Sequence, residues 1–240
     1  GAAVCGPSTL TINALSGGAG TVTGLSNIGT NLTALTLTGQ TLSLPSGGLA
    51  VSGPMSFTAA GGITLNGAVG SASTPATGQI DFTGPVSLAT GAIVVTTANA
   101  PINFSSTVNG AQSLTVNAGT NTTTFSGSVG GTTPLSSLTA TGTAAINGGV
   151  VRTSGAQQYN NAVTLGADTT LTASALTFSG TLNGAHTLLA NVSGATTFNG
   201  VVGGSTPLTS ITTDAAGSVV FGTAAITTTG AQTYNELITL

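Results

Sequence analysis

The chain has 240 residues, of which 40% are hydrophobic and only 2% charged, for a net charge of −3. A mean hydropathy of +0.46 argues against disorder, which combines low hydrophobicity with high net charge. No run reaches the roughly 18 apolar residues of a membrane-spanning helix, and one Lys or Arg, Arg152, argues against a nucleic-acid partner, which needs clustered cations. Solubility must come from Thr, Ser, Asn and Gly. So little charge leaves little repulsion between copies, which suits a protein that packs beside itself. Cys5 is the single cysteine, so no intrachain disulfide is expected.

Residues 1–62 read as divergent N-terminal coils. Short apolar runs recur at Leu35–Leu37, Leu42–Leu44 and Leu49–Val51, then again at Ile63–Leu65. Most alternate an apolar residue with Thr or Ser, the period-two pattern of a strand with one buried face. Residues 63–101 read as a degenerate repeat: ITLNGAVG (63–70) resembles TTFSGSVG (123–130), and PVSL (85–88) resembles AVTL (162–165). A repeat unit follows at 102–175 and an incomplete one at 176–240. INFSSTVNGAQSLTVN (102–117) matches LTFSGTLNGAHTLLAN (176–191). TFSGSVGGTTPL (124–135) matches TFNGVVGGSTPL (197–208), and GAQQYNNAVTL (155–165) matches GAQTYNELITL (230–240). The offset is nearly constant across the three pairs, and it sets the length of the unit. Asn109-Gly110, Gly130-Gly131, Asn147-Gly148, Asn183-Gly184 and Gly203-Gly204 punctuate the runs as tight turns. Thr, Val and Ile disfavour helix and Gly breaks it, so the chain reads as all-β.

A shorter period lies inside the unit: Phe104, Phe125 and Ile146 are evenly spaced. A β-sandwich would need domains of about 100 residues. A solenoid needs only coils of about 20, each buried against the next, and the interval between these three residues fits such a coil. The predicted fold is therefore a single β-solenoid over 1–240. About 12 coils rising roughly 4.8 Å each would make a rod of about 58 Å. Phe57, Phe82, Phe104, Phe125, Phe178, Phe198 and Phe221 are the expected core stackers. Phe125 and Phe198 are expected at the same inward site of successive units, and so are Tyr159 and Tyr234.

The phrases TFNGVVGGSTPLTSITTDAAG (197–217), GAQTYNELITL and GAQQYNNAVTLGADTTLTA (155–173) resemble repeats of large bacterial exoproteins, the filamentous-haemagglutinin-like adhesins and related β-strand-repeat surface proteins. The resemblance covers residues 100–240 well and 1–100 in texture only. It implies secretion to the bacterial cell surface, coils of a right-handed parallel β-helix, and a role in adhesion or surface coating. No Asn-Pro-Asn-Gly-Ile secretion motif and no Arg-Gly-Asp integrin motif occurs in the chain.

Polar candidates are sparse. The acids Asp81, Asp168, Asp214 and Glu236 are dispersed in sequence, whereas polysaccharide-cleaving solenoids need clustered carboxylates. No catalytic residue, metal ligand or cofactor is expected. His186 stands where the preceding unit has Gln112, which reads as a turn or surface group, and Asp168 and Asp214 read as turn formers. Tyr159 and Tyr234 read as packing residues, with sugar stacking as the sharper alternative. Cys5 reads as a free thiol. The sequons at Asn31, Asn103, Asn121 and Asn191 permit glycosylation, although ladder asparagine explains them too. Thr-x-Thr pairs (Thr9–Thr11, Thr21–Thr23, Thr36–Thr38, Thr170–Thr172, Thr227–Thr229) are irregularly spaced.

The leading functional expectation is a structural protein: a subunit or segment of a self-assembling extracellular fibre, sheath or surface layer. Its partner would be itself, because Thr9–Ile12 and Leu237–Leu240 are strand-like and uncharged and would stack head to tail. A second reading is the stalk of a filamentous adhesin that binds glycans, and a third is an ice-binding solenoid.

Overall fold

In a computed structural model, which describes residues 8–15, 20–23, 32–70, 75–222 and 225–240, the Thr-rich alternating runs form strands that pair in parallel with the turns before and after them. The fold is an all-β parallel β-solenoid of about 10 turns, each of about 21 residues, with no helix among the described residues. That is fewer than twelve coils, because the corners lengthen some turns: the ladder partners Phe57 and Phe82 are separated by a longer stretch of chain than Tyr159 and Phe178. At roughly 4.8 Å per turn the stack is about 48 Å long.

The strands fall into three ladders. The first runs through Ser8–Asn13, Leu32–Gly39, Met55–Ala59, Ile80–Thr83 and Ile102–Phe104. It continues through the second halves of Ser113–Phe125 and Ser137–Ile146, then Val163–Leu165 and Leu182–Asn183. The second runs from Thr21–Val22 to Val108–Asn109, bridges through Val129, and resumes from Val150–Arg152 to Gln232–Thr233. The third contains Ile93–Thr96 and the first halves of the two long strands. It then takes in Ala156–Tyr159, Ala175–Phe178, Ala195–Phe198, Ser218–Phe221 and Leu237–Thr239.

Alternation decides what each ladder buries. Ser137–Ile146 shows strict alternation, with every second residue buried. In-register pairing then places like side chains above one another. Phe57, Phe82, Phe104 and Phe125 stack along the first ladder with ring centroids 5.3, 4.8 and 5.3 Å apart. Ile146 and Leu165 continue that column. A second column on the third ladder runs Tyr159, Phe178, Phe198, Phe221, at 5.2, 5.5 and 6.1 Å. Phe104, Phe125, Phe178 and Phe198 are fully buried. Phe221 is only partly buried and packs against the edge of the core.

Phe125 and Phe198 therefore do not share a site: one lies in the first-ladder stack and the other in the third. The reason is a mismatch between repeat and turn. Phe104 is followed along its own ladder by Phe125, Ile146 and Leu165, so a fourth step would arrive near residue 184. The repeat-equivalent Phe178 comes one ladder earlier. The same step takes Val108 from the second ladder to Leu182 on the first, and Leu114 from the third to Leu188 on the second. The repeat unit thus falls short of four turns by about one face, and each copy is rotated by one face relative to the last.

Local structure survives this rotation. The Val108–Val129–Val151 bridges become Leu182–Val202–Ile226. Asn109 Oδ1 accepts from the N–H groups of Thr132 and Thr133 at 3.0 and 3.3 Å, and Asn183 Oδ1 accepts from Ser205 and Thr206 at 3.0 and 3.2 Å. Gly130 and Gly203 have φ of +68° and +71°; a Cβ at either would lie 2.1 Å from a carbonyl oxygen, of Arg152 and Thr227 respectively. Only glycine fits both the left-handed conformation and that close approach.

Buried Thr123 and Thr196 are also repeat-equivalent, and neither hydroxyl has a hydrogen-bond partner. Leaving a buried hydroxyl unpaired costs free energy. Thr196→Val is accordingly expected to raise stability by about 1 kcal/mol, seen as a higher urea midpoint. Phe198→Ala opens a hole inside the second column and is expected to cost about 3–5 kcal/mol. Phe221→Ala is expected to cost distinctly less in the same measurement, because its ring is already partly exposed.

Candidate functional site

Most polar candidates resolve into structural partners. Asp81, on the outer side of the first ladder, accepts from Gln79 Nε2 at 2.6 Å and from Asn103 Nδ2 at 2.7 Å. The amide of the Asn103 sequon is therefore engaged with the neighbouring turn. Asp168 accepts from the Thr187 N–H at 2.9 Å and lies 3.6 Å from His186 Nδ1. The Thr187 hydrogen bond, aided by the nearby histidine, holds its carboxyl below the usual value. Asp214 accepts from the Val192 N–H at 3.1 Å. Asp168 and Asp214 each tie a corner to an adjoining turn, and Asp81 ties two neighbouring strands of the first ladder. Among the described residues, no three His, Cys, Asp or Glu side chains converge as a metal site would require.

Tyr159 and Tyr234 keep the same local bonds in different ladders. Tyr159 donates to Gln157 Oε1 at 3.2 Å, while Gln157 Nε2 donates to the Val151 and Thr172 carbonyls. Tyr234 donates to Gln232 Oε1 at 3.1 Å, and Gln232 Nε2 donates to the Ile226 carbonyl. Burial raises both phenol pKa values, that of the enclosed Tyr159 far above the ordinary one. Tyr159 stacks flat beneath Phe178. Tyr234 follows the second-ladder strand Gln232–Thr233 and meets Phe221 edge-on at 81°. Tyr159 is closed off from any sugar, and Tyr234 is half-buried.

The Thr-x-Thr pairs are divided among ladders: Thr9–Thr11 and Thr36–Thr38 belong to the first, Thr170–Thr172 to the second. Cys5 and the Asn31 sequon lie outside the described residues.

What sequence reasoning missed is a groove on the second ladder. Its volume is about 770 Å³. Thr107, Ser128, Val150 and Thr170 follow one another along its floor, Arg152 and Thr172 stand beside them, and Gly131 and Thr132 overhang it. Arg152 Nη1 donates to the Gly131 carbonyl at 3.3 Å. The chain's single Lys or Arg was the one available signal, but nothing in the sequence places it among those hydroxyls. Compared with protein families, curated proteins and solved structures, the chain matches none.

Glu236 differs from the other acids. Its carboxylate oxygens are buried without a hydrogen-bond partner. Burial raises its pKa above the usual carboxyl value; the nearby Thr213 hydroxyl offsets part of the rise, and the charge of Asp214 adds to it. Between the ordinary value and the raised one, the folded chain holds a proton that the unfolded chain has lost. Stability is therefore lost as pH rises through the folded pKa and is retained below the ordinary one. Glu236→Gln is expected to raise the thermal midpoint at pH 7, with the gain shrinking by pH 4. Equal effects at both values would show that ionisation of this carboxyl is not responsible.

Proposed function

We propose that this chain is a structural segment of a secreted bacterial surface fibre, sheath or layer, and that its turns associate end to end. The observation that carries the reading is the solenoid itself, whose turns are completed only by parallel pairing with neighbouring turns. The surface of one turn is a template for the next, so turns of separate copies can associate as turns of one chain do. When the two joined surfaces differ, repeated addition gives a filament rather than a closed oligomer. With 2% charged residues, the chain offers almost no electrostatic opposition to such a contact. The phrases shared with the β-strand-repeat exoproteins support a secreted, surface-associated setting. No residue is assigned a catalytic role, since the carboxylates are spread over separate ladders and corners, and Asp81, Asp168 and Asp214 are used to tie turns together.

Light scattering of the purified chain over a dilution series tests the proposal. Mass is expected to rise with concentration, with elongated particles by electron microscopy. A wild-type chain that stays monomeric at every concentration would overturn end-to-end association.

A further inference from the structure

We propose that the groove on the second ladder binds a carboxylated oligosaccharide, with Arg152 holding the carboxylate. The groove's shape comes from the repeat, whereas its charge does not. Asn109 pins the overhanging loop by accepting from Thr132 and Thr133, as Asn183 does for Ser205 and Thr206 one unit later. In that later unit the counterpart of Ser128 is Val201, and the counterpart of Arg152 is Thr227. A threonine thus serves the fold equally well at that position. The guanidinium is an addition to one copy of a shared frame.

The chemistry of the groove selects the ligand class. An arginine has five N–H donors in a planar fork suited to a carboxylate. One is turned to the Gly131 carbonyl, and the only ion pair among the described residues joins His186 to Asp168, which leaves Arg152 without an acidic partner. Thr107, Ser128, Thr170 and Thr172 add hydroxyls that both donate and accept. Three ladder steps from Thr107 to Thr170 span about 14 Å, and Val150 supplies a small apolar floor for the C–H face of a sugar ring. A polysulfated or polyphosphate chain would require several cations, and a peptide would require deep apolar or aromatic anchor pockets. A hydroxyl-rich chain with one well-placed carboxylate matches what is present. The groove lies along the side of the second ladder, away from the faces that would stack, so its occupancy is read independently of end-to-end association.

Two-dimensional NMR titration with trigalacturonate tests the proposal, with neutral galactotriose and an aspartate-containing tripeptide as the other arms. Trigalacturonate is expected to shift the amides of Thr132, Arg152, Thr170 and Thr172 saturably, with the neutral trimer and the tripeptide about tenfold weaker or worse. Arg152→Thr, the residue found at the equivalent position of the next unit, is expected to keep the spectrum of the fold and lose about tenfold in affinity. Absence of saturable shifts, equal binding of the neutral trimer or the tripeptide, or unchanged affinity in Arg152→Thr would each overturn it.

Discussion

The solenoid depends on one constraint: a turn can satisfy its backbone and cover its apolar face only against an identical direction of chain one step along the axis. Each turn is too short to hold a core of its own, so its stability resides in the two interfaces it makes. Parallel pairing that stays in register over most of each ladder converts that into columns, because residues facing inward on one strand must face inward on the next. The two aromatic stacks are the visible result. Rings held 4.8–5.5 Å apart through most of both columns are separated by about the strand spacing itself. The backbone ladder and the aromatic packing are thus the same repeat measured on different atoms.

The mismatch between the sequence unit and the turn says something further about that constraint. The repeat lays equivalent segments on different faces, yet the Asn109 corner, the Gly130 turn and the Gln157–Tyr159 pair are rebuilt around Asn183, Gly203 and Gln232–Tyr234. The three faces must therefore be close to interchangeable as environments. What a segment requires is a neighbour at the right offset below and above it, not a fixed place around the axis. A duplication of the whole unit could be accommodated in such a frame without any integer relation to the turn, since the following chain only has to resume pairing one face along.

Much of the fold was legible from the residues. Period-two alternation marked the strands, the Asn-Gly and Gly-Gly pairs marked corners, and the interval from Phe104 to Phe125 was the true turn length. Which ladder a residue joins was not legible, because that depends on the summed lengths of all intervening corners. An error of a few residues accumulated over three turns amounts to a whole face, which is why matched sequence at Phe125 and Phe198 suggested a shared site that the turns do not provide. The Arg152 groove was hidden for the same reason. Thr107, Ser128, Val150 and Thr170 are each separated by a full turn of chain, and their adjacency follows only once the ladder is known.

The polar groups that the sequence made look isolated turn out to do a common task. Asp81, Asn109, Asp168, Asn183 and Asp214 all accept hydrogen bonds from the adjoining turn. Corners are where a solenoid's backbone leaves the ladder, and N–H groups left there without a strand partner must be satisfied some other way. A short side chain with an outward oxygen meets that need locally, and a carboxylate and an amide are interchangeable for the purpose. This accounts for two of the four acids: Asp168 and Asp214 finish the backbone's hydrogen bonding where a loop crosses to the next face, whereas Asp81 pairs with the Asn103 amide along the ladder. Arg152 takes part with the roles reversed: its Nη1 donates to the Gly131 carbonyl of the preceding turn, which uses one of its five N–H donors. The remaining donors of its guanidinium are more than the fold requires, since Thr227 stands at the equivalent position of the next unit.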